Sequence, residues 1–117
     1  MLISLTTLLA AVLLATPPVV EVEENVATCE PPNNGAGALW CYGAPLLVRS
    51  GDRVFASVME TGPGVSPLCN TRWRLFARDD GAQGWRIVNQ ADGFRHREPC
   101  PIVAPSASSL FLSTNPS

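Results

Sequence analysis

Pro45-Leu-Leu-Val-Arg-Ser-Gly-Asp-Arg-Val-Phe-Ala-Ser57 lies over Pro101-Ile-Val-Ala-Pro-Ser-Ala-Ser-Ser-Leu-Phe-Leu-Ser113 without a gap, at an offset of 56 residues. Pro, Ser, Phe and Ser coincide, and apolar positions match throughout. Self-similarity at a fixed spacing marks a repeated supersecondary unit. What repeats is read from the chain between the copies. Short β-favouring runs cover Ala44 to Arg49, Arg53 to Met59, Arg72 to Arg78 and Trp85 to Asn89, separated by Gly, Asp, Pro and Asn clusters. Ser50-Gly51-Asp52 supplies one turn and Asp79-Asp80-Gly81 begins another, so the runs connect as hairpins. Val54, Ala56 and Val58 share one face of their strand. Trp73, Leu75 and Ala77 share one face of theirs, with Arg72, Arg74 and Arg78 on the other.

The expectation is therefore all-β: an antiparallel four-stranded meander over about 44–89, then a second copy beginning at about 100–117. One such sheet cannot cover both of its faces. Radial stacking of several four-stranded blades solves that problem in a β-propeller. On this reading the chain holds a first blade and the opening strands of a second, either as a truncated product or as a unit completed by assembly.

The N-terminal part has a different character. Leu2 to Ala15, about 14 residues, is apolar apart from Ser4, Thr6 and Thr7, and runs into Pro17 and Pro18. This has the form of a signal peptide over residues 1–18, and it falls short of the roughly 20 residues a membrane helix needs. An exported chain with no stable membrane span is expected. Residues 19–38 carry Glu21, Glu23, Glu24 and Glu30 and then Pro31-Pro32-Asn33-Asn34-Gly35, the composition of an exposed linker. Cys29, Cys41, Cys69 and Cys100 make an even number, and in an exported chain they can close as disulfides in three connectivities. No C-x-x-C occurs and His96 is the single histidine, so neither a metal site nor a cofactor is expected. All eight basic residues are Arg, against ten acids, which is no footprint for a nucleic acid.

The segment Ala77-Arg-Asp-Asp-Gly-Ala-Gln-Gly-Trp85 resembles the Asp-box turn, S-x-D-x-G-x-x-W, of BNR-repeat propellers of the sialidase superfamily. Ala77 stands where that turn has Ser or Thr, and one extra residue separates Gly81 from Trp85. The resemblance, covering about residues 38 to 117, implies a sialidase-like propeller with Asp79, Gly81 and Trp85 as a structural turn. It also implies a glycan-binding or glycoside-hydrolase-related function in a full-length protein. Sialidases carry F/Y-R-I-P on the first blade, where the Arg grips a substrate carboxylate. The matching residues are Tyr42-Gly43-Ala44-Pro45, so Gly43 stands where that Arg would be.

Blade topology places the loops 60–71 and 90–100 on one face with Trp40 and Tyr42. The polar set there is Glu60, Asn70, Asp92, Arg95, His96, Arg97 and Glu98, with Phe94 beside it. Glycoside hydrolysis needs two carboxyl groups about 5 to 9.5 Å apart and ring faces for the sugar. Glu60 and Glu98 are the candidate catalytic pair, and Trp40, Tyr42 and Arg97 the candidate substrate contacts. The plainer reading pairs Arg97 with Glu98 as ions and leaves Glu60 solvated. A carbohydrate or glycoconjugate is the expected partner, although the truncated chain is expected to be inactive. Two alternatives stand beside it: a noncatalytic extracellular binding or scaffold propeller, and a small disulfide-stapled secreted β-domain.

Overall fold

The structure, a computed structural model, describes residues 18–20, 22–28, 44–62, 70–97 and 100–116. Among these there is no helix. The strands are β1 (Leu47–Ser50), β2 (Arg53–Thr61), β3 (Thr71–Asp79), β4 (Arg86–Gln90), β5 (His96–Arg97), β6 (Ile102–Ser106), β7 (Ser109–Leu112) and β8 (Asn115–Pro116). The first four form the expected antiparallel meander, and together with β5 and β8 they make one curled sheet, a half-barrel.

Local chemistry accounts for these elements. Ser50 faces Arg53 across the two-residue turn Gly51-Asp52, where Gly51 takes φ +59°, a conformation that costs glycine nothing. β2 and β3 pair along their whole lengths, from Arg53 opposite Asp79 to Thr61 opposite Thr71. β3's outer edge is shared: β4 takes its second half, and β5 begins opposite Thr71. Asp92, Gly93 and Phe94 lie between these two ladders, a short excursion from an otherwise continuous strand direction.

The register decides which side chains meet. Ala56 lies opposite Phe76 and Val58 opposite Arg74, so the apolar face of β2 coincides with the arginine face of β3. Ala56, Val58 and Phe76 form a buried cluster on that face, covered by Val26, Ala27 and Trp85. On the opposite face Ser57, Met59, Leu75 and Ala77 are buried as well. The central strands are thus covered on both sides, which is why alternation alone does not separate core from solvent here. Arginines fit such a face because their stems pack while their heads find carboxylates. Arg78 Nε stands 2.6 Å from Glu24 Oε2, so residues 22–28, inside the segment read as a linker, lie along the sheet.

The second copy of the repeat is the hairpin β6–β7. Ser106 faces Ser109 across Ala107-Ser108, as Ser50 faces Arg53 in the first copy. A bulge between Val103 and Ser106, at Ala104-Pro105, then slides the ladder by one residue. β6 lies beside β1 and runs parallel to it: Ile102 N–H donates to Pro45 O at 2.9 Å, and Ser50 Oγ donates to Ser106 O at 3.0 Å. Ser50 and Ser106 are repeat equivalents, so the copies touch at corresponding positions. Beyond β7 the chain returns to the other side of the sheet, where Asn115 and Pro116 pair with Arg97 and His96. Residues 102–116 are thereby tied to both margins of the six-stranded sheet.

Candidate functional site

One end of the sheet gathers most of the described polar candidates. Glu60 and Arg72 are direct cross-strand neighbours at the end of β2 and the start of β3. Arg72 presents both Nε, at 2.7 Å, and Nη2, at 2.6 Å, to Glu60 Oε2, and Arg74 Nη1 reaches the same oxygen at 3.8 Å. Each guanidinium also lies on a ring, Arg72 4.9 Å from the centroid of Phe94 and Arg74 5.3 Å from that of Phe76. The result is a stack that runs Phe94, Arg72, Glu60, Arg74, Phe76. Its charged members are each about a quarter exposed or less, so these contacts are less screened than those of a surface pair.

The end of β2 is closed by a tight exchange. Gly62 N–H donates to Asn70 O and Asn70 Nδ2 donates to Gly62 O, both at 2.9 Å. A Cβ on Gly62 would meet Asn70 Oδ1 at 2.5 Å and Phe94 Cγ at 3.0 Å. Residue 62 must therefore lack a side chain for Phe94 to fold back over Arg72. Neither Gly62 nor the pairing of Arg72 with Phe94 is among the residues expected from the sequence to form the site. The available signal was a glycine directly following a strand, which often marks a close approach of backbone.

On the opposite face Thr71 Oγ1 donates to His96 O at 2.6 Å, and the His96 ring meets Trp73 edge-on with centroids 6.5 Å apart. Among the described residues His96 Nδ1, Trp73 Nε1 and Ser57 Oγ are buried with no hydrogen-bond partner. His96 thus packs as a ring against Trp73, and among the described residues no carboxylate is seen to orient it as a base. Arg97 is exposed on β5 opposite Asn115. Trp40, Tyr42, Glu98, Cys29, Cys41 and Cys69 lie outside the described residues, so the Glu60–Glu98 pairing, the ring contacts and the cysteine connectivity lie there too. Cys100 is described and fully buried, immediately before Pro101 and the β6 contact to Pro45.

The Asp79 turn stands at the far end of β3. Asp79 Oδ1 is 2.7 Å from Arg53 Nε and Oδ2 is 3.4 Å from Arg86 Nη2, so its carboxylate links the ends of β2, β3 and β4. The turn's own backbone bonds are Ala82 N–H to Asp79 O at 3.1 Å and Asp80 N–H to Asp52 O at 2.7 Å. Gly81 takes φ +70°, and Trp85 packs on the Ala56–Val58–Phe76 cluster. A small cleft of about 210 Å³ opens nearby, where the two hairpin turns meet, between Ser50, Arg53 and Phe55 on one side and Ser108 and Leu110 on the other.

Among the described residues no three metal-ligating side chains come together, and no helix is long and apolar enough to cross a membrane. Set beside known proteins, the chain matches no family model, no curated protein and no solved structure.

Proposed function

We propose that the chain is an exported, noncatalytic β-module that recognises a carbohydrate or glycoconjugate through the end of the sheet bearing Arg72, Phe94 and Arg97. The observation that carries the noncatalytic part is the engagement of Glu60. Glu60 Oε2 is held by Arg72 and approached by Arg74, the pairing of a structural carboxylate, so turnover would have to use Oε1 alone. Export is supported by the apolar run Leu2 to Ala15. The carbohydrate as ligand class rests on the Asp-box resemblance and on the ring and guanidinium surfaces at this end. A panel of fluorogenic glycosides should give no turnover with the exported chain, while a glycan array should give binding that weakens in Arg97→Ala. Turnover abolished by Glu60→Gln, or an array with no binding, overturns the reading.

A second reading keeps the chain as the front of a sialidase-type propeller, with residues of about 44–89 as a blade. It is favoured by the matching turns of the two hairpins at the 56-residue spacing. Further repeats with their own Asp-boxes in the reading frame beyond residue 117 would support it, and their absence would remove it.

A further inference from the structure

The outer edge of β7 carries an unfilled ladder. β2 and β7 are repeat equivalents, and β2 has β3 along its outer edge for its full length. β7 pairs with β6 on one side and has no strand on the other among the described residues. Open edges are ordinarily guarded by charge, proline or a bulge. Here the guard is missing: the proline and bulge sit on β6, on the inner side, and no charged residue occurs anywhere from Cys100 to the end of the sequence.

The edge is also self-complementary. Ser109-Leu110-Phe111-Leu112-Ser113 reads the same in both directions. In an antiparallel pair of two such strands centred on Phe111, serine faces serine, leucine faces leucine and phenylalanine faces phenylalanine. The backbone polarity agrees with that centre. Ser113 N–H donates to Pro101 O and Phe111 lies opposite Val103, so Ser113 and Phe111 turn their backbone groups toward β6. By alternation, Leu110 and Leu112 turn theirs outward. A two-fold axis at Phe111 makes it the non-hydrogen-bonded pair and lets Leu110 exchange both backbone bonds with Leu112 of the second copy. The side chain that would lie on the axis is ready for it: Phe111 is 61% exposed, beside its cross-strand neighbour Val103 at 55%.

We propose that two copies of this chain associate through β7, antiparallel about a two-fold axis at Phe111, extending the sheet across the pair. A two-fold axis sets Phe111 against its own counterpart and pairs residue 110 with 112 and 109 with 113, so a charge at the axis would repel itself and an uncharged palindrome suits such an edge. The occupant is a second copy of the chain, because the pattern complements itself.

Sedimentation of the exported chain over a roughly thousandfold dilution series up to about 1 mM tests this. The mass is expected to rise from that of one chain toward that of two. Phe111→Asp and Phe111→Lys should each stay at one chain, and their equimolar mixture should return to two, because opposite charges then meet at the axis. As a check independent of those variants, Phe111→Cys should form a symmetric disulfide dimer on oxidation, since a non-hydrogen-bonded pair sets Cα atoms about 4.5 Å apart, within disulfide reach. Leu47→Cys, on β1 and 62% exposed, should not. A wild-type chain that stays single throughout, a mixture that stays single, or equal cross-linking at positions 47 and 111 would overturn the proposal.

Discussion

Ser57 and Ser113 close the same pattern in the two hairpins and live in different places. Ser57 is 2% exposed, in β2, with β1 on one side and β3 on the other. Ser113 is exposed, just past the end of β7, and among the described residues has a strand on the β6 side alone. Each donates its backbone N–H to the strand before it, Ser57 to Leu46 and Ser113 to Pro101. The local hairpin is thus set by the shared letters, while burial is set by what lies along the outer edge. Strand propensity and turn chemistry belong to the sequence copy, and the core belongs to its neighbours.

That comparison is broken most sharply by a charge. Ser57→Asp should cost at least about 3 kcal/mol, because an unpaired carboxylate is forced into a covered strand, while Ser113→Asp should stay within about 0.5 kcal/mol. Urea denaturation at low protein concentration measures both. A similar loss at the two positions would mean that the hairpins have equivalent surroundings. Within the second hairpin the contrast runs between adjacent residues. Ile102 is 2% exposed and Val103 55%. Truncating Ile102 to Ala should cost about 2–4 kcal/mol, and Val103→Ala well under 1 kcal/mol.

The closure at Gly62 lies at the end of β2, beyond the stretch that repeats. Gly62→Ala should destabilise by about 1–3 kcal/mol, since the added methyl displaces Asn70 or Phe94. The change should also loosen Arg72, read as a weakened coupling between Glu60→Gln and Arg72→Gln in a double-mutant cycle. A smaller loss than at Gly62 is expected where the two copies touch. Ser50→Ala removes the hydroxyl bond to Ser106 O and should cost about 1 kcal/mol, visible as a lower urea midpoint with unchanged slope.

Much of the strand layout was legible. Gly51-Asp52 and Asp79-Asp80-Gly81 punctuate the meander, and the expected runs agree with β1 to β4 to within a few residues at each end. The repeat also located β6–β7, whose turn falls where the first copy's turn predicts it. The placement of that hairpin was not legible. Parallel packing of β6 on β1 rests on one backbone bond and one hydroxyl bond, neither of which leaves a pattern in composition or spacing. The cover over the Ala56–Val58–Phe76 face was hidden for a related reason. Its cover comes from Val26 and Ala27 in an acidic stretch that reads as linker, and pairing with Arg78 gives Glu24 a reason to be there.

The candidate site divides in the same way. Glu60, Asn70, Phe94 and His96 were expected at one end of the sheet, because loop alternation in a meander is a property of topology alone. Their partners were not expected. Arg72 on Glu60 follows from a register that only the fully paired β2–β3 ladder supplies, and Phe94 reaches Arg72 through the excursion at Asp92-Gly93-Phe94. A resemblance carried by a turn at the far end of β3 has no bearing on that contact.

Whether the two copies belong to one cooperative body is tested most directly by amide hydrogen exchange at Ile102 and Ser57. Both N–H groups donate to neighbouring residues of one short segment, Ile102 to Pro45 O and Ser57 to Leu46 O. If the second hairpin is part of the sheet, the two amides should be protected to a similar degree, within about tenfold, and should lose protection together as urea is added. An Ile102 amide exchanging at the rate of an unfolded chain while Ser57 stays protected would contradict the account.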